Sequence, residues 1–597
     1  MCGTAKEATI NLFAKRFKKR SLDLSLSLGQ ENPNMKYSEF HYERISVEEQ
    51  NELLLQRLER FNNAKSGEEQ IAVIKEMDES YRKYSSYASI ANLNFNRDVR
   101  DEEAKAEKEY YDSIGPNMAE INNRWAKAVD ASRFKSEIGR ELGDTYLMQI
   151  EISLKIFDPK IMDMLRRETD LKREYTELLA GAQIEFHGST YNLSGLGPFH
   201  NHKDRAIRKE SYGVKFKWYE ENGEAFDDLY DKLVKLRHRM ATTLGYENFI
   251  ELAYLRMGRS DYGPEEVARY RRQIVESVVP VVHKLLEQKK GILGLDHLYF
   301  YDVINFKEGD PKPKVTPEEM VAVAQRMYHE LSPEIGKFFD LMVDEELLDL
   351  VNREGKMPGG FCTSFPSYKR PYVFSNFNAT DQDVLVLTHE IGHAYQSYSS
   401  RNQPLIGYLG PTAEAAEIHS MSMELMTWPW MDQFFGEGAE RFKYKHLSGI
   451  LSFLPYGACV DHFQHWVFEN PEATPKERKD QWLELESIYL PDRDYDDFAF
   501  PKSGGFWQAQ LHIYQCPFYY VDYTLAQTCA IQYWIRNEED PVKTWDSYDK
   551  LCQAGGSLPF TGLIRLAELK SPFEEGCLES IVEKVDAWLE AVNVAEL

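Results

Sequence analysis

The chain has 597 residues, of which 43% are apolar, 13% aromatic and 28% charged. That is globular composition and excludes a disordered or fibrous protein, and a chain of this length can bury a core without disulfides. The 71 Lys+Arg against 97 Asp+Glu leave a net charge of −26, so phosphate backbones and anionic membrane surfaces are not expected partners.

Residues 1–34 carry a basic cluster, Lys15-Arg16-Phe17-Lys18-Lys19-Arg20, followed by Ser/Leu repeats. We expect either a disordered N-terminal extension there or a true start at Met35. The N-terminus has no apolar core of a secretory signal, and no run of about 18 apolar residues occurs to span a membrane. Seven cysteines are scattered without a CxxC pair, which suggests free thiols in a reducing compartment.

Ser46-Val47-Glu48-Glu49 reads as a capping box at a helix start, and Leu54, Leu58 and Phe61 then fall on one helical face. Charged amphipathic segments of this kind continue to about residue 180. Residues 183–193 suggest a hairpin with Gly188 in the turn. A boundary is placed near 195, between a helical region from 35 and the remainder to 597. Residues 299–306 are a weak strand candidate. Thr316-Pro317-Glu318-Glu319 opens another helix. Residues 371–378 alternate Tyr372, Phe374 and Asn376 against Val373, Ser375 and Phe377, as a strand does. The chain is thus expected to be mainly α, with one small sheet.

The chemistry concentrates in three segments. In His389-Glu390-Ile391-Gly392-His393, two imidazoles at i and i+4 lie one above the other on a helix and can converge on one zinc ion. Glu390 is turned about 100° from His389, out of reach of the metal but within reach of a bound water, where a general base belongs. A second helix follows, with Glu414, Glu417 and Glu424 on one face among Ala and Met. Buried carboxylates need a partner, and a metal would supply one. Glu417 is the expected third ligand. Glu424 is expected to hold a ligand imidazole by its other N–H, and Glu414 could take either role. His419 points elsewhere and reads as a core histidine. Third, Ser503-Gly504-Gly505 precedes His512, Tyr514, Tyr519, Tyr520 and Tyr523. His512, Tyr520 and Tyr523 are candidate neutral donors to a carbonyl becoming an oxyanion, although such a cluster also suits aromatic packing. Asp461, His462 and His465 cluster metal-capable groups but lack a water-activating Glu at HExxH spacing, so a second zinc site there is not expected.

The segments HEIGHAYQSY (389–398), AEIHSMSME (416–424), LPYGACVDHFQHWVFENP (454–471) and PFYYVDYTLAQ (517–527) together resemble the M3 family of zinc oligopeptidases. The resemblance is nearest to its oligoendopeptidase F and Pz-peptidase branch and runs from about 200 to the C-terminus. It implies a two-lobed, helical, zincin-type metallopeptidase with a deep substrate channel and a small sheet near the active site. It implies one zinc ion on His389, His393 and Glu417, with Glu390 as base. It also implies donors at His512, Tyr520 and Tyr523 and cytoplasmic cleavage of internal bonds in short peptides. The strand at 371–378 would lie beside the site and pair with substrate backbone. His462 stands where a carboxylate is expected in relatives. A zinc carboxypeptidase or dipeptidyl carboxypeptidase of related fold remains an alternative, and a non-catalytic peptide-binding protein a more distant one. The sequence carries no signal for an oligomeric state.

Overall fold

The computed structural model describes residues 35–593, and the expected extension at 1–34 lies outside them. The described chain is mainly helical, with one hairpin and one three-stranded sheet. Helix α1 (Val47–Asn63) starts where expected, with Ser46 Oγ accepting from the Glu49 N–H at 3.3 Å. Its Leu54 and Phe61 are buried and Leu58 packs against them. Helices α2 (Gly67–Arg97) and α3 (Glu102–Asp130) follow. Helix α4 (Met162–Ala180) leads into strands β1 (Ile184–Phe186) and β2 (Ser189–Tyr191). Their turn places both His187 and Gly188 at positive φ, 49° and 81°, which suits a tight two-residue hairpin.

The region before 195 packs directly on the rest of the chain. Tyr37 packs its ring against Phe365 and Tyr372 at 5.6 and 4.9 Å, and these residues share one core cluster that runs on to Leu589. Arg82 Nη2 donates to the carbonyl of Gln403 at 2.9 Å, and the Tyr408 hydroxyl donates to the carbonyl of Leu142 at 2.8 Å.

Helices α5 (Gly223–Thr243) and α6 (Phe249–Arg256) close on α4 through a buried charge cluster. Glu168 accepts from Arg237 Nε at 2.8 Å and from Arg256 Nη2 at 2.9 Å. Arg237 Nη2 also donates to the carbonyl of Tyr514 at 2.6 Å, and Tyr175 stacks on Tyr514 at 4.0 Å. The cluster therefore reaches the backbone two residues beyond His512.

Two strand expectations need correction. Residues 299–306 form a short turn at Phe300–Tyr301 and irregular backbone, not a strand. There the Asp302 carboxylate accepts from the Tyr299 N–H at 2.8 Å and pairs with Arg205 and Arg208, so a side chain takes a donor a ladder would use. The other strand exists, as β5 (Arg370–Phe377), but it is the middle strand of its sheet. Strand β3 (Leu348–Val351) pairs with it in parallel and β4 (Phe361–Phe365) antiparallel. Both edges of β5 are used, so a substrate cannot add to it. Both faces are covered too: Tyr372, Val373, Phe374 and Ser375 are all buried, which hides the expected alternation.

Helix α7 (Gln382–Ser399) carries HExxH behind this sheet, α8 (Ala413–Met426) carries the acidic stripe, and α9 (Ala439–Glu469) runs alongside. The short α10 (Leu511–Gln515) and α11 (Tyr520–Glu539) bring the His/Tyr segment against them. Among the described residues no helix is long and apolar enough to cross a membrane, and six cysteines are free.

Glu168 gives a stability test. Burial opposes its charge, but Arg237 and Arg256 outweigh it and hold the carboxyl down at about 2. A depressed carboxyl stabilises the fold above its ordinary pKa of 4.5, and the contribution is lost as the pH falls towards 2. Glu168→Gln should lower the melting temperature at pH 7, since breaking a buried pair from one side costs about 3–5 kcal/mol. The gap between wild type and variant, followed by calorimetry, should narrow through that acid interval; a gap that stays constant would show that the charge contributes nothing.

Candidate active site

Helices α7 and α8 meet at Gly392, inside HExxH. A Cβ there would lie 2.6 Å from the carbonyl oxygen of His419 and 2.7 Å from Ser420 Cα. Only glycine permits that approach. The result is that Glu417 reaches across to both histidines: its Oε2 lies 3.4 Å from His389 Nε2 and 3.5 Å from His393 Nε2. Donor atoms of the three residues all lie within 4.8 Å of one another, and they are the one such group among the described residues.

The arrangement fits a metal. Ligand atoms held about 2.0–2.1 Å from a tetrahedral zinc lie about 3.4 Å apart, which matches both nitrogen–oxygen spacings. The tautomer fits as well. His389 Nδ1–H donates to Glu424 Oε1 at 2.6 Å, which leaves the Nε2 lone pair facing Glu417. Glu424 is fixed in turn, because His446 Nε2–H donates to its Oε2 at 2.9 Å and Trp428 Nε1–H donates to His446 Nδ1 at 3.1 Å. Glu417 Oε2 also accepts from Ser420 Oγ at 3.1 Å.

Charges follow this geometry. Burial works against protonating His389, but Glu417 and Glu424 outweigh it and raise its pKa well above the ordinary imidazole value. Burial also works against the Glu417 charge, yet His389 and His393 hold its carboxyl well below the usual range. A cation at the same place would satisfy the same carboxylate. Glu390 differs: burial pushes its pKa up, and its Oε2 is buried without a hydrogen-bond partner. Beside the ligand triad, such a carboxylate is suited to accept a proton.

Glu414 lies elsewhere on α8, accepting from the Tyr262 hydroxyl at 2.9 Å, so it belongs to a separate buried cluster. His419 is fully buried, as expected of a core histidine. His462 and His465 do not converge on a cation: His462 Nδ1 meets the Tyr489 hydroxyl at 3.1 Å, and His465 sits against Arg271, Asp461 and Tyr254.

The His/Tyr segment packs as one aromatic group. The His512 ring lies 4.9 Å from Tyr520 and 5.9 Å from Tyr523. Tyr519, not among the residues singled out as donors, makes the direct link to the triad: its hydroxyl donates to Glu417 Oε1 at 3.0 Å. Its placement depends on Phe518, whose φ of 67° breaks the backbone between α10 and α11. The Phe518 N–H donates to Gln464 and its carbonyl accepts from Arg259, which fixes the kink. Tyr514 is buried away from the site, with its hydroxyl on the Phe226 carbonyl. Burial pushes the Tyr523 phenol up to about 12 and lowers the His512 pKa, so both are uncharged near neutral pH.

A model of peptidase family M3 matches residues 199–583, and a model of the peptidase M3 N-terminal domain matches residues 37–157. The chain belongs to peptidase family M3. It is similar to oligopeptidase PepF of Bacillus subtilis (strain 168), at 23% identity over 72% of this chain and 68% of that protein. A solved structure of Pz peptidase A with inhibitor 2 superposes with a TM-score of 0.89 and 44% identity, covering 94% of this chain and 100% of the other. Oligoendopeptidase-F from Enterococcus faecium shares the fold at a TM-score of 0.63 and 16% identity, over 91% of this chain and 97% of its own. The HExxH helix, its acidic partner and the His/Tyr segment all fall within the M3 match, so the chain is a peptidase.

Proposed function

We propose that this M3 peptidase is a zinc endopeptidase that cuts internal bonds of short peptides. The observation that carries the reading is Glu390, whose Oε2 is buried without a hydrogen-bond partner beside three converging ligand atoms. A purely structural metal site has no use for such a base.

His389 and His393, through Nε2, and Glu417, through Oε2, would hold one zinc ion. Bound there, zinc lowers the pKa of a water towards 7 and polarises a carbonyl. Glu390 takes a proton from the attacking water and later delivers it to the departing amine. His512, Tyr520 and Tyr523 donate to the carbonyl oxygen as negative charge develops on it. Tyr519 and Ser420 hold Glu417 in place. Strand β4 uses one edge on β5, and no other strand among the described residues pairs with its second edge. An extended peptide backbone can pair there, which moves the expected strand addition from β5 to β4.

The decisive assay uses an internally quenched peptide of about eight residues, blocked at both ends, so that terminal exopeptidases cannot act on it. Internal cleavage is expected, abolished by a chelator and restored by zinc. Glu390→Gln should keep its zinc and lose on the order of 10²–10⁴-fold in kcat. Near-normal turnover in that variant would remove Glu390 as the base. Cleavage confined to a peptide with a free C-terminus would replace the endopeptidase reading with a carboxypeptidase.

Glu424→Gln tests the support behind His389. It should weaken zinc binding about 10–100-fold, measured by competition with a chromophoric chelator. Unchanged affinity would show that the Glu424 contact does not orient the ligand.

A further inference from the structure

His512 has a second set of neighbours that the reaction scheme does not use. Tyr456, on α9, donates its hydroxyl hydrogen to Gln510 Oε1 at 2.9 Å. Gln510 Nε2 lies 2.8 Å from His512 Nδ1. The three groups form one line of hydrogen bonds that ends on the imidazole. Gln510 is itself pinned at the entrance to α10, with its backbone N–H on the Trp507 carbonyl at 2.9 Å and its own carbonyl accepting from the Ile513 N–H at 3.1 Å. Tyr456 is caged by aromatic rings, with Tyr520 at 5.8 Å, Phe506 at 6.1 Å and Trp482 at 6.3 Å.

The direction of this line decides which nitrogen of His512 carries the hydrogen. An amide oxygen only accepts and an amide NH₂ only donates. With Tyr456 donating to Oε1, the Nε2–H of Gln510 faces Nδ1, which must accept. The imidazole hydrogen then sits on His512 Nε2, which has no protein hydrogen-bond partner among the described residues. The reversed amide would point its NH₂ at Tyr456 and strand the hydroxyl hydrogen, since Gln510 is the one hydrogen-bond partner of that hydroxyl among the described residues. Burial also raises the Tyr456 pKa well above the ordinary phenol value, so the hydroxyl keeps its hydrogen to donate.

We propose that Tyr456 and Gln510 are positioning residues of the peptidase, holding His512 as the neutral Nε2–H tautomer with that hydrogen free for the substrate carbonyl. The inference rests on the reading of His512 as a donor. The opposite tautomer would present a lone pair from Nε2, which repels a developing oxyanion.

The test uses zinc-loaded enzyme labelled with ¹⁵N-histidine, with the His512 signals assigned by their loss in His512→Ala. Wild type should show Nδ1 unprotonated and Nε2 protonated. Gln510→Glu keeps the shape but can only accept, so the hydrogen should appear on Nδ1. Its kcat should fall about 10²-fold, as when an oxyanion donor is lost, with KM changed less than about 2-fold. Gln510→Met and Tyr456→Phe add no charge, and should give mixed tautomers and a smaller loss of kcat. They also decide the matter where Gln510→Glu loses zinc or fails to fold. Retention of a pure Nε2–H signal in Gln510→Met and Tyr456→Phe would overturn the positioning role. A normal rate in His512→Ala would instead overturn the donor reading, and with it the purpose of the pair.

Discussion

The site depends on one close contact, the crossing of α7 and α8 at Gly392. The missing side chain lets the backbone of α8 sit against HExxH, with the His419 carbonyl and Ser420 Cα where a Cβ would be. The contacts of Glu417 and Glu424 with the histidines follow from that spacing. Glu417 is brought to two imidazoles, and Glu424, two turns on, reaches the far nitrogen of His389. The contact is reinforced from outside, since the Tyr548 hydroxyl donates to the same His419 carbonyl at 2.8 Å. Separating the helices by the width of a methyl group would spread the ligand atoms beyond what one small cation bridges.

The close crossing has an electrostatic consequence. Of the three carboxylates of α8, Glu414 and Glu417 are buried and Glu424 is half-buried, in a chain of large negative charge, and each needs its own compensation. Glu414 lies with Tyr262 and the Arg259–Asp522 pair, Glu417 with the two histidines, and Glu424 between His389 and His446. Glu390 differs in making no side-chain hydrogen bond among the described residues, whereas Glu414, whose Oε2 is likewise buried and unpartnered, accepts from Tyr262 through Oε1. Keeping a polar atom in that state costs stability, and the catalytic reading gives the cost a purpose.

What the sequence discloses is what local spacing controls. HExxH and the acidic stripe are helical repeats, so spacing places the two histidines on one face and Glu414, Glu417 and Glu424 on another, but it leaves the role of Glu414 open, and only the packing separates Glu414 from the pair that meets the histidines. The hairpin at Gly188 was legible for the same reason. Tyr519 was not, because a helix drawn straight through Pro517–Tyr523 misses the left-handed Phe518 that turns Tyr519 towards Glu417. His446 carries no spacing signal towards His389; the packing of α9 brings it to Glu424, where Trp428, just past the end of α8, meets it. The sheet shows the same limit. Residues 370–377 read correctly as a strand, but its central position comes from β3 and β4, whose pairing is non-local.

On the proposed reading, two histidines of this site stand in opposite tautomers, and a neighbouring side chain sets each. At His389 the neighbour is a carboxylate, which can only accept. It draws the hydrogen to Nδ1 and leaves Nε2 with a lone pair, as a metal ligand requires. At His512 the neighbour is an amide turned by a tyrosine to donate. It occupies the Nδ1 lone pair and leaves Nε2 with the hydrogen, as an oxyanion donor requires. Both devices draw on α9, the first through His446 and the second through Tyr456, about three helical turns apart. Helix α9 contributes no expected ligand, base or donor. Its part is to decide, from behind, what the residues that do face the substrate can offer.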